Sequence, residues 1–128
     1  MIFEELSNIL SQNVPLFFGG TSLFINQAPL DGTFCGLFRD GPGGFEINGY
    51  IPTERKGFFV LAVRGKTEAE ITNAVKLAMS ALTINNQLSG NILIKICRPI
   101  SEPVSYRLSV GNIKEISVNF SINYGIVQ

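Results

Sequence analysis

Residues 57–97 do most to restrict what this chain can fold into, because they spell a strand, a helix and a second strand with clean punctuation. Gly57 to Arg64 reads GFFVLAVR, a near-continuous apolar run of the kind a well-buried strand requires. Gly65-Lys66 breaks it, and Thr67-Glu68-Ala69-Glu70 has the spacing of a capping box. In that box Thr67 accepts from the Glu70 amide and Glu70 reaches back to the Thr67 amide. Ile71, Ala74, Val75, Ala78 and Leu82 then recur at helical spacing, so one stripe is apolar. Asn91 to Cys97 (NILIKIC) returns as a strand, with Asn85 to Gly90 as its connection. The unit can carry a fold, and it holds no reactive group.

A chain of 128 residues makes one domain, spanning 1–128, and can bury roughly two-thirds of the surface its unfolded form exposes. Only 16% of it is charged, so Ser, Asn, Thr and Gly must supply much of the surface. Such a surface suits partner contacts, whose centres are depleted of charge, and it equally suits plain solvation. Ten acids balance ten bases. With no basic block, specific nucleic-acid binding is not expected. The start, MIFEELSNIL, carries acids where a signal peptide needs bases, and no apolar run approaches a membrane span; a cytoplasmic, non-membrane protein is expected. Cys35 and Cys97 each sit in an apolar strand pattern, which favours buried thiols over a disulfide. Asn119-Phe120-Ser121 matches a glycosylation acceptor, but it lies inside a strand and is discarded.

Along the chain, Ile2 to Leu10 forms a short amphipathic helix that Asn13-Val14-Pro15 ends. Leu16-Phe17-Phe18 is a strand-like segment turned by Gly19-Gly20, Ser22 to Asn26 a second short strand, and Ala28 to Gly32 a loop. Thr33 to Arg39 (TFCGLFR) is a strand. Asp40-Gly41-Pro42-Gly43-Gly44 reads as a mobile surface loop. It feeds no helix and lacks the Lys-Ser/Thr of a phosphate cradle. Phe45 to Ile51 is a strand with an Asn48-Gly49 turn, and Pro52 to Lys56 is an exposed connection. Arg98 to Pro103 holds two prolines and cannot be a central strand. Tyr106 to Val110 and the strand from Ile113 are joined by the hairpin signal Gly111-Asn112. In the last strand Ile116, Val118, Phe120, Ile122, Tyr124 and Ile126 alternate with Ser117, Asn119, Ser121, Asn123 and Gly125. One face is therefore apolar and the other small, polar and uncharged. The fold class is α+β: a mixed or mainly antiparallel β-sheet, with the central amphipathic helix packed on one face and a short N-terminal helix.

Catalytic constellations do not stand out. There is no histidine, and two cysteines about sixty residues apart make no zinc pattern. Glu4/Glu5 lie on the solvent side of a helix, and Glu68/Glu70 are accounted for by capping and the helix dipole. Neither enzymatic activity nor a cofactor or metal is expected.

From about residue 14 onward the order of features resembles the tail terminator (tail-completion, minor capsid) proteins of long-tailed bacteriophages. A Pro-Leu-Phe-Phe-Gly segment, an Ala-Pro loop, TFCGLFR, a Gly-Pro-Gly-Gly loop and YIPTERKG lead into FFVLAVRG and an amphipathic helix. Phe59, Leu61, Val63, Arg64 and Gly65 stand where that family carries its recurrent F-x-V-x-V-R-G/S strand. The Pro-rich linker, the hairpin and the last strand, ending N-F-S-I-N-Y, also fit. The resemblance implies a structural virion protein of the tail or neck, assembled in the host cytoplasm. Its implied state is a ring, usually hexameric, that caps the tail tube, stops its growth and presents the head-joining surface. The implied partners are other copies of the chain, the tail tube protein and the head-completion or connector protein, with no small-molecule substrate. Head-to-tail contacts closing by rotation would need roughly 800 Å² per partner. Arg39, Asp40, Gly41, Gly43, Gly44, Arg55 and Lys56 are the candidate contact residues. Competing readings are another phage neck or tail-tube protein, a small-molecule-binding or enzymatic α+β domain, and a nucleic-acid module. The last lacks base-stacking aromatics among the Ser and Asn of the final strand.

Overall fold

The computed structural model describes residues 2–14, 17, 23–26, 34–65, 67–107 and 113–127. The Gly19-Gly20 turn, the Ala28–Gly32 loop, the Gly111-Asn112 turn and all of the Leu16–Phe18 segment but Phe17 lie outside them. In chain order the elements are α1 (Ile2–Asn13), β1 (Leu23–Ile25), β2 (Cys35–Ile47), β3 (Glu54–Gly65), α2 (Glu68–Ala81), β4 (Ile84–Ser89), β5 (Ile92–Pro99), β6 (Val104–Arg107) and β7 (Lys114–Ile126). The class is α+β. The strands form one sheet in the order β1-β2-β3-β7-β5-β4, with β6 also on β7. Among the described strands β1–β2 is the parallel pair and the remaining pairs are antiparallel.

The hub of the sheet is β7, not the 57–97 unit. Along one edge β7 pairs with β3 from Gly65↔Lys114 to Glu54↔Gly125. Along its other edge β5 pairs up to Pro99↔Phe120, and β6 resumes at Val104↔Ser117. These two are pieces of one broken strand. Pro99 and Pro103 bracket the break, where the Ile100 amide donates to Asn119 O at 2.9 Å and Ser101 Oγ accepts from the Asn119 amide at 3.3 Å. The prolines thus fall where β4 no longer pairs, past Ile84↔Cys97.

Alternation sorts the side chains into two faces. Phe59, Leu61 and Val63 of β3 and Ile116, Val118, Phe120, Ile122 and Tyr124 of β7 join α1 and α2 in one core. Phe120 stacks on Phe59 with ring centroids 5.0 Å apart and planes 4° from parallel, and Phe3 stacks on Phe38 at 5.6 Å. The α2 stripe is buried as its spacing predicts, and α1 runs a turn longer than Leu10, to Asn13.

Four expectations are corrected. The Asp40–Gly44 loop is part of β2: the register runs Asp40↔Phe59 and then Phe45↔Gly57, so the glycines form a bulge. Gly41 fits because a Cβ there would come within 2.6 Å of the Phe58 carbonyl oxygen, and Gly44 has φ +63°. Glu54 to Lys56 open β3 rather than connect to it; the turn is Asn48 to Thr53, where Asn48 Oδ1 accepts from the Tyr50 amide at 2.8 Å. Asn85 to Ser89 belong to edge strand β4. Pairing is a backbone property, so polar side chains do not prevent it, and Asn86 at φ 55° disturbs the alternation that would have revealed it. The capping box does not form either: Thr67 is the N-cap in extended backbone geometry, but its side chain makes no cap hydrogen bond, and it and Glu70 both stand exposed.

Candidate interaction surface

The second face of the sheet carries no helix among the described residues, and it divides into two zones. At one end Cys35, Leu37, Ala62, Arg64 and Glu115 are buried although they lie outside the helix-covered core. Arg64 and Glu115 are register partners, and Arg64 Nε donates to Glu115 Oε1 at 2.6 Å. Arg39, two strands away, reaches the same oxygen at 3.5 Å. Glu115 Oε2 is buried without a hydrogen-bond partner among the described residues. Two guanidinium groups crowd one carboxylate oxygen, a charge-assisted link that ties β2, β3 and β7 together.

The other zone is open. Phe58 is 48% exposed and Ile96 42% exposed, and between them run Ser121 and Asn123 of β7. Together with Gly44, Glu46 and Lys56 they line a groove of about 560 Å³. A smaller one of about 420 Å³ follows along the β2–β3 turn, where Ile47, Tyr50 and Ile51 are exposed. Lys56 and Glu46 face each other across the rim at 3.8 Å, a solvated pair that contributes little. Lys95 pairs with Glu54 on the same face. Arg98, beside Ser121, is exposed with no ion pair among the described residues.

The candidate contact residues gather on two strands. Arg39, Asp40, Gly41, Gly43 and Gly44 lie on β2, Arg55 and Lys56 on β3. Gly44 and Lys56 reach the groove. Arg39 belongs to the buried charge cluster, and Gly41 is packed on the Phe58 backbone. Arg55 turns to the helix side, donating to the carbonyl oxygens of Pro52 and Glu54. There it opposes the burial that raises the Tyr124 hydroxyl pKa. Phe58 and Ile96 were not singled out from sequence, whereas Ser121 and Asn123 stood on the uncharged outer face of the last strand. Two-sided apolar runs such as GFFVLAVR hide which phenylalanine faces out. The small-polar alternation of β7 was the available signal for Ser121 and Asn123.

Among the described residues reactive groups are not concentrated in one place. Cys35 and Cys97 are both buried, on opposite faces, and are not joined in a disulfide. Burial pushes the Cys97 thiol up to about 12. Among the described residues no group of three or more His, Cys, Asp or Glu is placed to hold a metal ion. No described helix is long and apolar enough to cross a membrane.

No family model matches the chain, and no curated protein matches it. Its fold is similar to that of a solved chain from the virion of a native gene transfer agent (GTA) particle, with a TM-score of 0.65 at 14% identity. The superposition covers 94% of this chain and 94% of that one. At such identity the likeness is one of fold.

Proposed function

We propose that the chain is a structural protein of a phage-type virion, with no catalytic role of its own. The observation that carries this is the fold shared end to end with a component of a virion particle.

Within that class, the reading favoured is a tail terminator. It would be a homo-oligomeric ring on the last layer of a tail tube, which ends tube growth and receives the head connector. The order of sequence features supports it, as does the physical form of the surface. An uncovered sheet zone with a half-exposed phenylalanine and isoleucine, flanked by Ser and Asn, suits contact with protein. The groove is half open and its lining is more apolar than polar, which suits a macromolecular neighbour better than a small polar metabolite.

Electron microscopy of the purified protein, alone and mixed with tail tubes, tests the proposal. Closed rings, free or seated on tube ends, are expected. Monomers that leave tube ends bare and tube length unlimited would overturn it.

A further inference from the structure

The zero net charge conceals a segregation between the two layers. The helices carry four acids, Glu4, Glu5, Glu68 and Glu70, against the single base Lys76. The strands carry eight bases against four acids. The strand charges divide between the faces. Arg55 and Lys114 turn to the helix side. Among the described residues the second face keeps five bases, Arg39, Lys56, Arg64, Lys95 and Arg98, against three acids, Glu46, Glu54 and Glu115, a small basic excess. Two features make this more than a count. Without the capping box, Glu68 and Glu70 are exposed with no partner among the described residues, and so is Arg98 on the other side. Each layer also holds an exposed apolar group beside its charge: Leu77, 42% exposed, on the helix; Phe58 and Ile96 on the sheet.

We infer that the open zone of the second sheet face seats α2 of another copy of this chain, with the Glu70–Asn73–Leu77 stripe laid across Arg98, Ser121 and Phe58. The inference rests on the ring reading and assigns its contact surface. The spacings agree. Glu70 and Leu77 lie on one helix stripe, seven residues or about 10.5 Å apart along the axis. Arg98 and Phe58 both register with Ser121 of β7, from either side, so they are two strand spacings or about 9.6 Å apart. A helix crossing the strands therefore sets Glu70 on Arg98 of β5 while Leu77 meets Phe58 of β3. The helix stripe and the sheet zone then match at one charge pair, Glu70 with Arg98, and at one apolar contact, Leu77 with Phe58. Such a contact is heterologous: each copy uses one surface for the neighbour on its left and another for the neighbour on its right. That kind of contact closes into a ring when its rotation permits.

The test uses the full chain and two variants at exposed positions, Phe58→Asp and Leu77→Asp, each checked to unfold at the wild-type urea midpoint. In sedimentation velocity the wild type should associate, and association should weaken about tenfold or more between about 50 mM and about 500 mM NaCl. Each variant alone should remain at the 14.0 kDa of one chain. Mixed together, they should give a dimer and nothing larger, because each retains the one surface the other lacks. In a single chain, Glu70→Arg with Arg98→Glu should restore the association that either change weakens. Wild-type rings with which Phe58→Asp or Leu77→Asp does not interfere would overturn this assignment and leave the ring reading standing. A mixture that stays monomeric while the wild type associates would also overturn it, pointing to a sheet-on-sheet contact or another partner on the groove. A wild type that forms no ring, alone or on tubes, would remove the ring reading and this contact with it.

Discussion

Phe58 and Phe59 are neighbours in one strand, yet they live in different environments. Phe59 is 0% exposed and stacked on Phe120 beneath the helices; Phe58 is 48% exposed on the side without a helix. The same residue type therefore has two jobs one peptide bond apart, packing on one face and offering contact on the other. The sheet as a whole repeats that division. Among the described residues one face is closed by α1 and α2 around a continuous core, and the other is buried at its charged end and open beyond it.

The largest effect should come from the closed face. Phe59→Ala removes a fully buried ring and should destabilise by about 3–5 kcal/mol in urea unfolding, whereas Phe58→Ala should stay within about 1 kcal/mol. Equal losses would mean that the open face is as well packed as the core.

Next is the charged end of the second face. Removing one partner of Arg64–Glu115, as in Glu115→Leu, leaves buried guanidinium charge uncompensated and should destabilise by about 3–5 kcal/mol. Arg64→Met with Glu115→Leu should recover most of that loss, because two apolar groups need no pairing. Recovery that fails would assign Arg39 a larger share of the cluster than its 3.5 Å contact suggests.

A third prediction concerns pH. In the fold the Cys97 thiol is pushed from 9.0 to about 12 by burial, so above pH 9 the unfolded chain loses this proton while the folded one keeps it. The stability this thiol contributes is complete below pH 9 and falls as pH rises toward 12. Burial of the Tyr124 hydroxyl acts in the same direction. Denaturation at stepped pH should show the decline, and Cys97→Ala should flatten it; an unchanged slope in that variant would place its source elsewhere.

The smallest effect tests the bulge. Gly41→Ala brings a Cβ within 2.6 Å of the Phe58 carbonyl oxygen and should destabilise by about 1–3 kcal/mol. A mobile loop would tolerate that change freely, so a neutral result would restore the loop reading of Asp40–Gly44.

These contrasts show what could be read in the sequence. The α2 stripe and the β7 alternation were legible because period 3.6 and period 2 survive wherever one side is buried. Strand β4 was not, because INNQLS pairs through its backbone while its side chains mostly meet water. The Gly-rich stretch misled for a related reason. Glycine permits a loop, but it also permits the tight approach of β2 to Phe58, and only the partner strand decides between them. Of the interaction surface, the Ser and Asn of β7 were visible as an uncharged face. Phe58 and Ile96 were hidden in apolar runs, and Arg98 in a proline-rich join. Long-range pairing brings the three together around Ser121 and Asn123.

The central claim is that the open face is covered in the assembled state, and Ser121→Cys measures it directly. The two native thiols are buried, so a maleimide reports on the introduced one. It should react readily in the dissociated chain at high salt and become strongly protected once rings or capped tubes form. Equal reactivity in both states would contradict the account.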